Sequence, residues 1–534
     1  MHPVSKEGGG LYGWKGYPTL LSALRGDCGR ISRSCKFDGE GFRGTFAGPS
    51  PVRMSDGAVV LPGSTVKACV HVLLDPRTCA LENPLMLRHA PSTIDTPHLV
   101  ESASSLSLEE VGRALTQCSG SAAQAAALEL NVNWERARIA PSGPVDVIDM
   151  FSGCGGMSAG FLSVNGLVPA FRMVGSVDID SIANRTYAQN IGIQPFNVDI
   201  GEMARRPKVF NETLGAARTD DTRPLVLIGC APCQGFSSHR NEAGSADPRN
   251  SLFVDFARIA TRLQPAAVIV ENVPELLTDR YWPFVDRARE LLVRAGYHVH
   301  VGVHNMAEFG VPQERFRALM LAMRRPFSPP KGFLSRSEFR TVRQAIGGLP
   351  AVRAGERHPD DPMHYTAGHK ESTLATIRAV PKNGGNRPED VGPECLRRAK
   401  ARSGRAAYED VYGRLFWDKP AITVTAYARN PASGRYTHPE QDRGLSVREA
   451  ALLQSFPTNY NFEGSLDERF RQIGNAVPPA FAAYLAVHVL VELNAAQPPQ
   501  RFDPGITAPV GPSFSRLIPA LKAGYRKGAV DCDA

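Results

Sequence analysis

Residues 144–156 read Pro-Val-Asp-Val-Ile-Asp-Met-Phe-Ser-Gly-Cys-Gly-Gly. A short apolar run, Val145–Met150, leads straight into a glycine cluster, which reads as a strand delivering the chain to the start of a helix. Glycines at that place remove the side chains that would keep a ligand from the backbone of a helix N-terminus, so a nucleotide-like cofactor is implied. A nicotinamide site competes, but Gly153-Cys-Gly155-Gly-Met-Ser158 puts serine where the third glycine of that fingerprint belongs.

Working outward, further strand-like runs lie at Phe171–Val177, 225–228 and 266–270, with helix-like stretches at 182–190, 251–263 and 284–295 between them. The alternation predicts an α/β fold with a mainly parallel sheet covered on both faces and ligands beyond the carboxyl ends of its strands. The residues at those ends are therefore the candidates for chemistry. Asp178, in Val177-Asp-Ile-Asp180, and Asp199, in Asn197-Val-Asp199, can accept hydrogen bonds from ribose hydroxyls and an exocyclic amine, with helix capping as the rival role for each.

Gly229-Cys-Ala-Pro-Cys-Gln-Gly-Phe-Ser237 follows another strand. Cys230 and Cys233 form a C-x-x-C pair, yet no second pair completes a tetrahedral zinc site, so no metal is expected. A strand entering a Pro-Cys-Gln loop instead displays one thiol at a ligand crevice, an inert buried cysteine being the alternative. Val268-Ile-Val-Glu-Asn-Val-Pro274 brings Glu271 to the same rim, where an apolar strand end suits a carboxyl group to proton donation. Val311-Pro-Gln-Glu-Arg-Phe-Arg317 leads into a strand-like run at 318–323, and its alternation puts Arg315 and Arg317 on one side, where paired guanidinium groups suit a carbonyl, phosphate or carboxylate; a structural ion pair competes.

Composition bounds the rest. The 534 residues are 43% apolar and 21% charged, an ordinary globular mix with room for about three domains. Ten cysteines in such a length are no disulfide scaffold. No run approaches the ~18 unbroken apolar residues of a membrane span, and no secretory signal is visible, so a cytoplasmic location, or a nuclear one, is expected without a membrane. The net charge is +8, and residues 321–445 alone hold 22 basic against 13 acidic side chains. That local excess suits a polyanion as well as it suits a solvated face. It falls in an irregular stretch rich in Arg, Gly and Pro that opens at 325–330 (RPFSPP). Within it Arg402, Arg405, Tyr408, Arg414, Trp417, Tyr427, Arg429, Arg435 and Tyr436 interleave basic and aromatic groups suited to phosphates and base edges, though each taken singly fits a structural or phosphate-facing role better than base reading. The chain divides into 1–143, with a capping-box pattern at Ser107-Leu-Glu-Glu110 and room for two helices, then 144–325, 326–445, a return at 446–495, and a loose Pro-rich tail, 496–534.

The ordered set FSGCGG, VDID, NVD, PCQGFS, ENV, QERFR, LSVREAALLQSFP and QIGNAVPP resembles the motif series of the cytosine carbon-5 DNA methyltransferases, over about Val145 to Leu493. The resemblance implies a Rossmann-like catalytic domain dependent on S-adenosylmethionine, with a smaller target-recognition domain in 326–445. It implies double-stranded DNA as partner, a base flipped out of the duplex, and Cys233 as the nucleophile adding to carbon 6 of cytosine. Glu271 would contact ring nitrogen 3 and the exocyclic amine, Arg317 with Arg315 would hold the carbonyl, and Gln234 and Ser237 would lie along the nucleotide. For the cofactor, Phe151 would pack on adenine, Gly153 and Gly155 would approach the amino-acid part, Asp178 the ribose, and Asp199 the adenine amine. Pro232 and Asn475 would border the same pocket. Many members carry an aromatic residue after the ribose-binding acid; here Ile179 stands there, so stacking would become apolar packing.

A monomer is expected, of the kind that can accompany a restriction endonuclease. The rivals are a transfer RNA methyltransferase, which the long Arg-rich insert disfavours, a non-catalytic DNA-binding regulator, which the intact Cys233, Glu271 and Arg317 disfavour, and, more distantly, a nicotinamide oxidoreductase.

Overall fold

The computed structural model describes residues 106–117, 121–140, 142–215, 222–232, 248–397 and 410–516, residues 518 and 521, and the backbone of a short ladder near the N-terminus. The chain forms two compact units, Met1–Ile94 and Asp95–Ala534. In the first, Val52–Arg53 pairs antiparallel with Val59–Val60. The second holds every other described element.

Its centre is a six-stranded sheet. The strands are β1 (Val145–Met150), β2 (Phe171–Val177), β3 (Leu225–Gly229), β4 (Ala267–Asn272), β5 (His298–Asn305) and, after the two-residue β6 (Gln313–Glu314), β7 (Phe316–Met323). The order is β2-β1-β3-β4-β7-β5, parallel from β2 to β4, with β7 antiparallel to both its neighbours. The fold class is the expected α/β Rossmann-like one, and β5 is the strand that sequence reading passed over. Strand alternation sends Val145 and Val147 of β1 into one core and Ile148 and Met150 into the other.

Helices α1 (Leu108–Gln117), α2 (Ser121–Leu128) and α3 (Leu130–Ala137) precede β1. Ser107 and Glu110 form the expected capping pair, with the Glu110 amide donating to Ser107 Oγ at 3.2 Å and the Ser107 amide to Glu110 Oε2 at 2.8 Å. Val111, Leu115, Ala126 and Leu130 share one core with Phe481, Leu485 and Val489. The boundary expected at 143 is thereby moved: the apolar face of α1, at i, i+3 and i+7 spacing, is buried against the sheet domain and belongs to it.

Between the strands lie α4 (Gly156–Ser163), α5 (Ser181–Ile191), α6 (Ile200–Arg205), α7 (Leu252–Leu263) and α8 (Trp282–Arg294). Asp180 caps α5 by accepting from the Ile182 and Ala183 amides, and Gly192 ends it at φ 88°. The chain returns through α9 (Val447–Leu453), α10 (Leu466–Asn475) and α11 (Pro479–Asn494). Among the described residues one stretch, Leu466–Asn494, has the length and apolarity of a membrane span, but 78% of its best window is buried in the protein core.

The segment 326–445 is irregular, as expected. It holds helices Val342–Ile346 and Glu371–Arg378, an antiparallel ladder of Arg357–His358 with Asp361–Tyr365, and β8 (Ala421–Ile422), which pairs parallel with β6. The tail is not loose over its described part: the Val301 amide donates to Pro504 O, Ile506 to Val301 O and Val510 to Leu277 O, so residues 504–510 run along the edge strand β5 and beyond. Pairing of an otherwise open edge is the physical reason.

Candidate active site

The turn after β1 bends sharply. Phe151 has φ 56°, Gly153 φ 50° and Gly155 φ 86°, and Gly155 is the N-cap of α4. A Cβ on Gly153 would meet nothing within 4 Å, so its open side faces a cavity. Gly155 differs: its Cβ would lie 2.8 Å from Tyr460 Oη, so packing beneath the turn requires a glycine there, and it is not among the residues that line the cavity.

The cavity, about 470 Å³, opens at the carboxyl ends of β1, β2 and β3. Phe151, Gly153, Asp178, Ile179, Asp199, Pro232 and Asn475 all line it. Asp178 follows β2 and accepts from the Gly153 amide through Oδ2 and from the Asp180 amide through Oδ1, each at 2.8 Å. Burial raises its carboxyl above the usual range, against the pull of those two amides. Asp199 lines the cavity and also caps α6, accepting from the Glu202 amide at 2.7 Å, so its two candidate roles coexist.

Sequence reading missed the three other charged lining residues, Asp149, Asp180 and Arg471. Asp149 was hidden inside an apolar run. Its Oδ2 accepts from Ser158 Oγ at 2.5 Å, and Ser158 Oγ lies 2.9 Å from Tyr187 Oη. Burial pushes the Asp149 carboxyl up to about 7, opposed by the Ser158 hydrogen bond and assisted by the charge of Asp178. Arg471 on α10 reaches across the rim to Asp180, at 3.1 Å. A pyrophosphate would meet four carboxyl groups here, Asp149, Asp178, Asp180 and Asp199, and one arginine already paired. A nucleoside fits better, since its hydroxyl and amine donors match the acids and its ring the apolar Phe151, Val198, Ile179 and Pro232.

Beyond the cavity the strand ends continue with a second group. Glu271, at the end of β4, is 2% exposed. Cys230 at the end of β3 donates to its Oε2 at 3.0 Å, and Arg317 Nε on β7 lies 2.9 Å from its Oε1. Asn272 Nδ2 anchors the start of the cysteine loop by donating to Ala231 O at 3.0 Å. Cys233, Gln234 and Ser237 lie outside the described residues, and Pro232 is the last described residue before them.

Arg315 is a correction. It does not share a side with Arg317: its guanidinium is buried and donates to Val424 O at 3.0 Å, Gly474 O at 3.1 Å and Ala476 O at 3.2 Å. The chain changes sheets between β6 and β7, which breaks the alternation that would have kept the two arginines together. Arg315 ties the irregular segment and the α10 return to the sheet domain.

In the basic segment the structural role expected of the individual residues holds for four of them. Arg414, Trp417, Arg435 and Tyr436 are buried. Arg414 donates to Val380 O, His438 O, Gln441 O and Ile377 O, and Arg435 pairs with Asp410 at 2.9 Å. A loop-rich domain with few long apolar runs leaves many carbonyls inside, and the five-donor guanidinium satisfies several at once. Tyr427, 64% exposed, and Arg429, paired with Asp467, remain at the surface. Arg402, Arg405 and Tyr408 lie outside the described residues.

Comparison with known proteins finds relatives of the chain. The type II methylase M.HgiDII of Herpetosiphon aurantiacus is 33% identical over 349 residues, covering 64% of this chain and 93% of the relative. The type II methyltransferase M1.HphI of Haemophilus parahaemolyticus is 35% identical over 349 residues, covering 64% and 86%. The crystal structure of the S. pombe Dnmt2 methyltransferase aligns with a TM-score of 0.42 at 18% identity, over 65% of this chain and 99% of that one. The family model for the C-5 cytosine-specific DNA methylases matches residues 145–490. The chain belongs to that family and is a DNA cytosine-5-methyltransferase.

Proposed function

We propose that the protein transfers a methyl group from S-adenosylmethionine to carbon 5 of cytosine within a specific duplex DNA sequence, through a covalent adduct on a flipped-out base. Its relatives are named as type II methyltransferases, and we read this chain as the modification enzyme of such a system, with a cognate restriction endonuclease as its partner.

The observation that carries the reading is the adjacency of two sites on one sheet edge. The nucleoside-sized cavity reaches Pro232, the residue before Cys233, while Glu271 stands on the next strand, tied by Cys230 to the same loop. Phe151, Ile179 and Pro232 would enclose the adenine, with Asp178 accepting from the ribose hydroxyls and Asp199 from the amine. When bound, S-adenosylmethionine supplies a methyl group on a positively charged sulfur, open to attack by a nucleophilic carbon. Carbon 5 of cytosine is too weak a nucleophile on its own. Addition of the Cys233 thiolate to carbon 6 breaks the ring's aromaticity and makes carbon 5 enamine-like. Glu271 would hold nitrogen 3 and the exocyclic amine, and Arg317, whose Nε already meets Glu271, would extend a further guanidinium donor to the carbonyl. Loss of the carbon-5 proton and expulsion of the thiolate then restore the ring. Flipping the base costs a few kcal/mol, which these contacts offset.

The test is incubation with labelled S-adenosylmethionine and duplex DNA of varied sequence, beside total small RNA, followed by nucleoside analysis. The expected product is 5-methylcytosine in DNA; label confined to RNA would overturn the substrate. Duplexes carrying 5-fluorocytosine in the target should trap the protein covalently, and Cys233→Ser should abolish both trapping and turnover.

A further inference from the structure

The proposed chemistry uses Cys233 and leaves the other cysteine of the pair, Cys230, without a task. Its position is unusual. The Cys230 amide donates to Met150 O on β1 at 3.3 Å, which holds the residue at the junction of the glycine turn and the cysteine loop. Its side chain borders the cofactor cavity, and its thiol lies 3.0 Å from Glu271 Oε2. The opposite oxygen, Oε1, accepts no hydrogen bond among the described residues but lies 2.9 Å from Arg317 Nε as an ion pair. Glu271 is thus met by the thiol hydrogen bond on one oxygen and by the Arg317 charge on the other, at 2% exposure, where a donor fixes orientation more firmly than in water. No cluster among the described residues could hold a metal, so the thiol is not part of a described cation site.

We propose that Cys230 is a positioning residue for the reaction: its S–H donates to Oε2 and presets the Glu271 carboxyl in the plane that the cytosine edge will meet. The proposal rests on Glu271 being the group that contacts the base. A thiol suits this task because it is a weak donor. It holds the oxygen in the free enzyme yet gives it up at little cost when nitrogen 3 or the amine of the base arrives. An apolar side chain would leave Oε2 without that partner and the carboxyl free to turn about the Arg317 contact. The effect belongs to the bound, reacting complex, since the orientation of Glu271 counts only once the base is in place.

The test compares Cys230→Ala and Cys230→Ser with the wild-type protein in steady-state methylation of duplex DNA. Cys230→Ala is expected to lower kcat about tenfold while KM for S-adenosylmethionine and for DNA stay within about twofold. Cys230→Ser, which restores a donor, is expected to recover kcat to within about threefold of wild type. Unchanged kcat in Cys230→Ala would overturn the proposal. So would a loss seen only in KM for S-adenosylmethionine, which would make Cys230 a cavity wall, or a serine variant as slow as the alanine, which would make sulfur packing the cause. Matching thermal midpoints show that the variants are folded. Glu271→Gln is run alongside: if it keeps full activity the reading of Glu271 fails, whereas its loss together with a silent Cys230→Ala sinks the positioning role alone.

Discussion

Arg443 and Glu449 meet as a two-pronged ion pair with both side chains 1% exposed, Nη1 donating to Oε2 and Nη2 to Oε1, each at 2.7 Å. Arg443 closes the irregular segment and Glu449 stands in the first turn of α9, where the same carboxylate accepts the Ser446 amide at 2.8 Å. The pair therefore joins the segment expected to read DNA to the return of the catalytic domain.

Removing one partner of such a pair strands a buried charge. Arg443→Ala is expected to destabilise the protein by about 3–5 kcal/mol, measured by urea unfolding, whereas Arg443→Met combined with Glu449→Gln costs less than the sum of the two single changes. Burial by itself would raise the Glu449 carboxyl, but the charge and hydrogen bonds of Arg443 overcome it and hold it at about 2. Its contribution is present above the ordinary glutamate range and is lost as pH falls from about 4.5 through about 2.

Asp149 has the opposite sign. Its folded-state carboxyl titrates near 7 against an ordinary 3.8, so in that window the folded protein holds a proton that the unfolded chain has released. Its contribution is full below about 4 and is lost as pH rises to about 7, on the order of 4 kcal/mol across the window. Asp149→Asn keeps an acceptor for Ser158 Oγ and removes the titration. The difference in unfolding free energy between variant and wild type, followed from pH 4 to 8, is expected to move in favour of the variant as pH rises; a flat difference would contradict the assignment.

The two arginines of the QERFR motif separate in their effects. Arg315 holds three backbone carbonyls from two other segments, so Arg315→Ala leaves buried acceptors unpaired and is expected to cost about 3 kcal/mol of stability. Arg317 is partly exposed and its guanidinium meets Glu271. Arg317→Ala is expected to lower kcat about a hundredfold, and, because it leaves the buried Glu271 without its ion-pair partner, to lower the thermal midpoint as well, but by less than Arg315→Ala. Circular dichroism melts and methylation rates on the two variants give the contrast.

How far the sequence could be read follows from what each signal depends on. β1, β2 and α7 were legible because a buried parallel strand and an amphipathic helix carry their own periodicity, and the cavity residues stood at strand ends where ligands gather. Arg315 was misread because its direction depends on a change of sheet between β6 and β7 that no local pattern announces. Arg414 and Arg435 look like a DNA-binding surface in composition, yet their burial depends on carbonyls contributed from positions 21 to 51 residues away, which only the folded chain brings together. The stretch of α1 to α3 was legible as helical, though as two helices rather than three, and that its apolar face covers the sheet domain depends on α11, more than 300 residues later.

Ile179 offers a direct probe of the proposed adenine site. It lines the cavity yet is 65% exposed, so its side chain contributes little to the core and can be changed without unfolding the protein. An aromatic ring at that place would add a stacking face to the apolar wall of Phe151 and Pro232, and aromatic pairs add about 0.5–1.5 kcal/mol beyond the area they bury. Ile179→Trp is therefore expected to tighten S-adenosylmethionine about two- to tenfold, and Ile179→Ala to weaken it severalfold, both read by calorimetry. The thermal midpoint of the free protein should stay within a few degrees for both. Because the change sits on the cofactor side, KM for DNA should not follow; if both variants bind S-adenosylmethionine as the wild type does, the adenine lies elsewhere in the cavity and Asp199 loses its assigned partner with it.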